Sequence, residues 1–468
     1  MNIFQNLVFG SNDKSIIYSN DSRFSYSRLI QDSDKFSFSF ENRPLVFLVA
    51  KNSYDCLAGY VGLLRANAVV ALINDSIHES VFSDLIFKFK PAFIYQPKNI
   101  FESENIWDKK LKFGQYVLYD TKIEIDYKIN ENLSLLLMTS GSTSSPEFVR
   151  LSHKNIFSNT KAICDYLKIN NNDVAITTLP MSYSYGISII NTHLFMGANL
   201  VLTSASLMEK KFWDMISMHK VTTFGGVPFT FEMIKKLKFE KMFIPSIKYI
   251  TQAGGKLDKG LLKYFSKICI KKKIDFIVMY GQTEASPRMS FLPSKMLQLK
   301  IGSIGVTIPG GKFYLVDNEN QIVNEPNIEG ELIYEGENVC MGYARDCFDL
   351  AKNDLNKGIL KTGDMAIVDS DGYYFITGRK KRFLKIFGNR VSLDQVEQKI
   401  NEAGYNCACV GEDDQMKIYT TEKSNVENIH NFVLEYFEIN KSGFSIICVD
   451  TIPRNHSGKI LYPKLERN

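Results

Sequence analysis

The run MTSGSTSSPEFVRLSHKN, residues 138–155, decides how the rest of the chain is read. It follows LSLLLM, residues 133–138, an apolar run with the length and texture of a buried strand. Thr139, Ser140, Gly141, Ser142, Thr143, Ser144 and Ser145 then crowd ahead of Pro146, and a helical pattern begins near Ser152. A strand, a hydroxyl-rich loop and a helix in that order make a place to hold phosphates. Small residues let the backbone approach, and hydroxyls and amides aim donors at oxyanions. The run is not the nucleotide loop that ends in Gly-Lys-Ser/Thr.

Upstream of this loop, PLVFLVA (44–50), AVVALI (68–73), AFIYQ (92–96) and residues 116–119 read as strands, with a helix over 54–67. Downstream the rhythm returns, with strands over 174–178, 199–203, 222–225, 249–251 and 276–280. Strands alternating with helices predict an α/β fold of largely parallel, helix-covered sheets. The duplication predicts two stacked lobes with a cleft between them, and no repeat marks a solenoid. From Ile301 onward Gly and Pro punctuate short alternating segments such as 312–316 and 330–334, which predict a small antiparallel barrel or sheet. Near Gly378 the charge density rises in GRKKRFLK, residues 378–385. Ser392 with Gln395 then forms a capping box, and Val396, Ile400 and Ala403 give a helical apolar stripe. The predicted domain boundary lies within 377–381 and divides the chain into residues 1–378 and 379–468.

Composition bounds the function. In 468 residues, 45% are hydrophobic and 23% charged, the balance of a globular protein with room for more than one domain. A net charge of +5 is too diffuse to argue for nucleic acid, although it tolerates anionic substrates. The start, MNIFQNLVFGSNDKS, lacks the basic and apolar regions of a secretion signal, and no apolar segment approaches membrane-spanning length. Among the eight cysteines, Cys407 and Cys409 form a lone C-x-C with no second pair at metal spacing, which reads as buried thiols in a reducing compartment. The expectation is a soluble cytoplasmic enzyme.

The loop resembles the phosphate loop of the adenylate-forming (AMP-binding) enzymes, TSG[ST]TGxPKG: acyl-CoA synthetases, firefly luciferase and peptide-synthetase adenylation domains. Five further segments resemble that family in the right order: GLLRANAVVALIND (62–75), YGQTE (280–284), GELIYEGENVCMGY (330–343), KTGD (361–364) followed by DGYYFITGRKKRFLKIFG (371–388), and PRNHSGKI (453–460). The resemblance covers nearly the whole chain. It implies a large N-terminal domain of two helix-flanked sheets plus a small β-barrel, and a small mobile α+β C-terminal domain. It also implies an ATP-dependent acid–thiol ligase. A carboxylic acid becomes an acyl-adenylate with release of pyrophosphate, and the acyl group then passes to coenzyme A or to the phosphopantetheine of a separate acyl carrier protein. No carrier domain follows Lys459 before Asn468.

Joining two anions needs fixed positive charge and donors where negative charge builds up. The resemblance assigns Lys459 to bridge the carboxylate and the α-phosphate, a role suited to a compact ammonium; alone it reads as a solvated lysine. Glu284 is the expected Mg²⁺ contact, Thr283 a donor to the α-phosphate and Tyr280, next to Gly281, a stacking partner for adenine. Thr139, Ser140, Gly141, Ser142 and Thr143 form the phosphate loop, and Gly254 and Gly255 lie where backbone approaches adenine. Asp364 and Arg379 are expected at the ribose, against the alternative of a plain turn aspartate. Lys381 matches the hinge and Lys385 the second-step lysine.

Three positions depart from the pattern: Ser144 for Gly, Glu147 for Lys and Phe148 for Gly. A carboxylate near the β- and γ-phosphates is repulsive, so Glu147 is expected to point away, with Arg150 or Lys154 replacing the lost charge. The altered loop leaves a second reading open, a non-catalytic nucleotide-binding homologue. The acid pocket is expected near PMSYSYG (180–186), with Tyr183, Tyr185, Gly225, Val227 and Pro228 as walls. No acid occurs between Pro180 and Gly197, which argues against an α-amino acid substrate.

Overall fold

The computed structural model describes residues 4, 16–19, 22–36, 43–98, 107–138, 147–380, 382–387, 389–437, 439–454 and 460–466. They divide into two compact units, residues 1–301, 307–312 and 335–360 in one, and 302–306, 313–334 and 361–468 in the other.

The larger unit holds both expected sheets. In one, Leu133–Met138, Val69–Asn74, Leu45–Ala50 and Phe93–Pro97 are neighbours and run parallel. Antiparallel strands flank this parallel core: Phe148–Ser152 and Tyr343–Ala344 on one side, Tyr116–Asp120 and Asp108–Phe113 on the other. The second sheet runs Asp275–Gly281, Tyr249–Gln252, Thr223–Gly226, Val174–Ile176, Asn199–Leu202 and Ile16–Ser19, all parallel. Arg288–Leu292 and Ser22–Ser25 pair antiparallel to its outer members.

Two helices are buried along almost their whole length in the core of this unit, Tyr54–Arg65 and Ser184–Phe195. Tyr54–Arg65 is apolar nearly all round, the pattern of a helix covered on every side, whereas Ser184–Phe195 also buries Ser184, Ser188, Asn191, Thr192 and His193. Tyr60 Oη donates to Asn191 Oδ1 at 3.2 Å, joining one helix to the other. Close packing explains Gly59 and Gly62: a Cβ at Gly59 would meet the Tyr95 ring at 2.1 Å, and one at Gly62 the Ser33 carbonyl at 2.5 Å.

The smaller unit contains most of a five-stranded sheet in the order Ile322–Val323, Lys312–Val316, Gly330–Glu335, Ile359–Val368, Tyr374–Arg379, the region expected as a small barrel or sheet. Beyond it lie the hairpin Phe383–Ile386/Asn389–Ser392 and a three-stranded sheet of Cys407–Glu412, Gln415–Thr420 and Phe444–Cys448. Helices Leu393–Glu402 and Val426–Phe437 pack their apolar faces into one core with it. Ser392 caps the first helix, its Oγ accepting from the Gln395 amide at 3.3 Å. The fold is α/β, with a large N-terminal and a small C-terminal domain.

The order expected around the phosphate loop needs correction. Residues 139–146 lie outside the described residues, but the segment after them is the strand Phe148–Ser152, antiparallel to Leu133–Met138. The helix His153–Leu167 begins only after that strand, capped by a reciprocal Ser152–Asn155 box. The loop therefore joins two strands, and that helix's N-terminal dipole is one strand removed from it. Phe148, Val149 and Leu151 are buried, and four main-chain carbonyls let Arg150 be buried between them.

Candidate active site

YGQTE sits where Asp275–Gly281 ends and a short 3-10 turn, Thr283–Ala285, begins. Gly281 is obligatory there, because a Cβ would fall 1.8 Å from the Pro287 carbonyl oxygen. Tyr280 is half-buried and pairs with Ser290 across the hairpin. Thr283 Oγ1 lies 3.1 Å from Ser184 Oγ, the first residue of the buried helix Ser184–Phe195. The Glu284 carboxylate accepts from Tyr343 Oη at 2.7 Å, while its carbonyl accepts from the Cys340 amide at 2.8 Å. Asn338 Nδ2 donates to the carbonyls of Ala285 and Arg288 at 2.6 and 3.1 Å. Two motifs far apart in sequence, 280–284 and 330–343, thus brace each other. Partial burial and the Glu284 charge push the Tyr343 phenol well above its usual pKa, so it stays a donor.

The expected pocket walls also meet. Gly254 has φ +81°, and a Cβ there would lie 2.6 Å from Tyr183 Oη and 3.0 Å from Val227 Cγ1. At Gly255 it would lie 3.1 Å from Pro228 Cγ, and the Gly255 carbonyl accepts from Gln252 Nε2 at 2.8 Å. Tyr185 is buried, its Oη 2.7 Å from Thr251 Oγ1, and a Cβ on Gly225 would strike that Oη at 2.7 Å.

The charges beside the phosphate loop are arranged differently from one expectation. Glu147 points to Arg345, whose Nε donates to it at 2.9 Å. Lys154 is paired with Glu337 at 2.9 Å. Arg150 is not a replacement phosphate ligand: it is 0% exposed and donates to the carbonyls of Met341, Tyr343, Lys352 and Asn353 at 2.6–3.2 Å. A guanidinium spent on four carbonyls is a structural clamp.

In the smaller unit Asp364 lies within the strand Ile359–Val368, after Gly363 at φ +71°, and not in an isolated turn. It faces Arg379 across the sheet, Oδ1 3.3 Å from Arg379 Nε, and is itself buried. Gly378 leaves room for Ser392, whose Oγ a Cβ would meet at 2.7 Å. Lys385 is exposed on Phe383–Ile386. Thr139, Ser140, Gly141, Ser142, Thr143, Lys381 and Lys459 lie outside the described residues.

Sequence reasoning missed Tyr343, Arg345 and Arg288. Tyr343 and Arg345 close the 330–343 motif or follow it, and Arg288 opens the otherwise largely apolar run RMSFL. No group of three or more His, Cys, Asp or Glu side chains able to hold a metal occurs among the described residues. Cys407 and Cys409 are buried free thiols, as expected. No helix among the described residues is long and apolar enough to cross a membrane.

The chain is similar to known CoA ligases in sequence and in fold. Oxalate–CoA ligase of Saccharomyces cerevisiae is 24% identical over 466 residues, covering 89% of this chain and 85% of its own length. A 2-succinylbenzoate–CoA ligase of Bacillus cereus is 24% identical, covering 74% of this chain and 72% of its own. The fold matches o-succinylbenzoate CoA synthetase from Bacillus subtilis in complex with its acyl-adenylate intermediate, with TM-score 0.80, 18% identity, and 99% and 98% of the two chains covered. The same protein in complex with ATP and magnesium ion matches with TM-score 0.80, 18% identity, and 99% of each chain covered. The family model "AMP-binding enzyme" matches residues 5–344, and the chain belongs to this family of adenylate-forming ligases, as an acyl-CoA ligase-like enzyme.

Proposed function

We propose that the enzyme is an ATP-dependent acid–thiol ligase. The carboxylate of a small acid attacks the α-phosphate of ATP and pyrophosphate leaves; a thiol then attacks the acyl carbon, giving a thioester, AMP and a proton. The observation that carries the reading is Glu284, a carboxylate fixed at a strand end beside the Thr283 hydroxyl by the Tyr343 phenol. A single carboxylate oxygen suits a hard cation that completes its coordination with phosphate and water. Mg²⁺ bound there would supply charge for the departing pyrophosphate.

In this reading Thr283 donates to the α-phosphate, Tyr280 faces adenine, and Gly254 and Gly255 let backbone come near it. Asp364, oriented by Arg379, accepts from the ribose hydroxyls. Thr139, Ser140, Gly141, Ser142 and Thr143 cradle the phosphates, and Lys459 bridges the two reacting anions. Residues 379–468 turn about Lys381 between the steps, bringing Lys385 to the second. The thiol is coenzyme A, by analogy with the CoA-ligase relatives, or the phosphopantetheine of a separate acyl carrier protein. Free cysteines fit a cytoplasmic setting.

The test is pyrophosphate release from MgATP over pooled carboxylic acids, with hydroxylamine as trap and Lys459→Ala as control. Release confined to certain acids and lost in the variant supports the ligase. ATP binding with no release from any pool would leave the non-catalytic reading in its place.

A further inference from the structure

Arg288, like Arg150, is a buried arginine of the larger unit, but its hydrogen-bonded partners are hydroxyls and a thioether where Arg150 has carbonyls. It opens the strand Arg288–Leu292 and is 2% exposed. Nη1 donates to Tyr166 Oη at 3.1 Å and lies 3.1 Å from Met279 Sδ, and Nη2 donates to Ser188 Oγ at 3.1 Å. The guanidinium carbon stands 4.7 Å from the centroid of the Tyr185 ring. Nε is buried with no hydrogen-bond partner. Among the described residues no carboxylate lies within ion-pair distance of Arg288. Asp173, the buried acid whose charge acts on nearby His193 and Tyr249, is taken by Lys248 at 2.8 Å.

A buried cation without an anion is costly, and an apolar side chain of similar volume would usually serve the fold as well or better. Hydroxyls and a thioether are weak compensation for a guanidinium, whose planar fork matches a carboxylate. The location supplies a reason. Tyr185 and Ser188 belong to the helix Ser184–Phe195, whose first residue meets Thr283. Arg288 itself follows Glu284 by one turn and a strand start, and its carbonyl accepts from Asn159 and Asn338 at 2.8 and 3.1 Å. The guanidinium thus lies against the ring of the tyrosine expected to wall the acid pocket, between the two elements that carry the candidate chemistry.

We propose that Arg288 is the counter-charge for a second carboxylate of the substrate, so that the enzyme activates one end of a dicarboxylic acid and holds the other on this guanidinium. The inference rests on the acid–thiol ligase reading. Arg288 takes no part in the bond changes; it fixes which acid is positioned for them, and its buried, unpartnered Nε is a donor that such a carboxylate would satisfy.

The experiment measures pyrophosphate release with a pool of dicarboxylic acids and a matched pool of monocarboxylic acids of the same chain lengths. Wild-type enzyme is expected to use the diacids. In Arg288→Met, kcat/KM for the best diacid falls at least about 100-fold, because a site built around a polar group rejects what it can no longer pair. The matched monoacid is unchanged or improved. The unfolding midpoint of Arg288→Met stays at or above wild type, so the loss on the diacid is not a loss of folded enzyme. Equal use of the two pools by wild type overturns the proposal, as does an equal loss on both in a folded Arg288→Met. Wild-type selectivity decides even where the variant fails to fold. No release from either pool overturns the ligase reading, and this inference with it.

Discussion

Arg345 Nε donates to the Glu147 carboxylate at 2.9 Å, so the acid that replaces the loop lysine is ion-paired. The pair is lopsided in exposure, with the Arg345 side chain 75% exposed and that of Glu147 21%. Arg345→Ala therefore leaves an uncompensated carboxylate beside the loop and should raise KM for ATP about 2- to 5-fold, the scale of an exposed pair. Glu147→Gln frees the arginine and should lower it by a similar factor. ATP titrations of initial rate settle the matter, and unchanged KM in both variants would show that this charge does not reach the nucleotide.

Tyr343→Phe removes the side-chain hydrogen bond to Glu284 without changing the ring. A hydrogen bond to a charged group in a half-open site contributes roughly 1–2 kcal/mol, or about 5- to 30-fold in kcat/KM. The loss should be partly recovered at high Mg²⁺, since a poorly fixed carboxylate binds the cation less well. A rate deficit that ignores Mg²⁺ would remove Glu284 from the cation site.

Arg150 tests the difference between a clamp and a phosphate ligand. Arg150→Met takes a charged donor from four carbonyls, one of them buried and three part-buried, at a fully buried position. It should cost at least about 3 kcal/mol, read as a lower denaturation midpoint. Arg150→Lys recovers only part, because an ammonium lacks the fork that spans the carbonyls. Normal stability with weakened ATP binding would reverse the assignment.

His193 makes stability depend on pH. Burial pushes its pKa down to about 4, from an ordinary 6.5; the Ile189 carbonyl and Asp173 oppose the shift and Arg288 adds to it. The folded chain refuses a proton that the unfolded chain accepts. The stabilisation is therefore complete above about pH 6.5 and is lost as pH falls through 4. The span corresponds to something on the order of 3 kcal/mol. Denaturant midpoints measured across that window should fall with pH in wild type and flatten in His193→Gln. Parallel slopes would assign the acid sensitivity to other groups.

What was legible in the sequence follows from what leaves a local trace. The parallel strands 45–50, 69–74 and 133–138 are buried on both faces, so they appear as nearly continuous apolar runs. Asp108–Phe113, DKKLKF, is largely exposed and carries no such run. Phe148–Ser152 was hidden by Arg150, a charge inside a buried strand that only partners some 200 residues away make tolerable. The same holds at the site. YGQTE and KTGD are local strings, whereas the Tyr343–Glu284, Arg345–Glu147 and Arg288–Ser188 contacts join residues whose spacing in the chain means nothing until the sheets form.

The C-terminal tail offers the last test. Tyr462 Oη donates to Glu397 Oε2 at 2.8 Å, and Arg382 lies 3.6 Å over the Tyr462 ring while its Nη2 pairs with Glu397 Oε1 at 2.7 Å. Tyr419 Oη donates to the Leu465 carbonyl at 2.9 Å, and Arg454 bridges Ile460 on either side of residues 455–459. This network anchors the chain immediately after Lys459. Tyr462→Phe leaves one oxygen of a buried carboxylate short of a donor and loosens the anchor. If Lys459 bridges the two reacting anions as proposed, misplacing it acts on the chemical step, with an expected loss on the order of 10-fold in the rate of adenylate formation. ATP affinity, set by the other unit's turn and loop in the proposed scheme, should hardly change. Single-turnover formation of acyl-adenylate, measured beside equilibrium ATP binding, separates the two. A Tyr462→Phe enzyme that adenylates at the wild-type rate would show that the tail needs no such anchor to deliver Lys459.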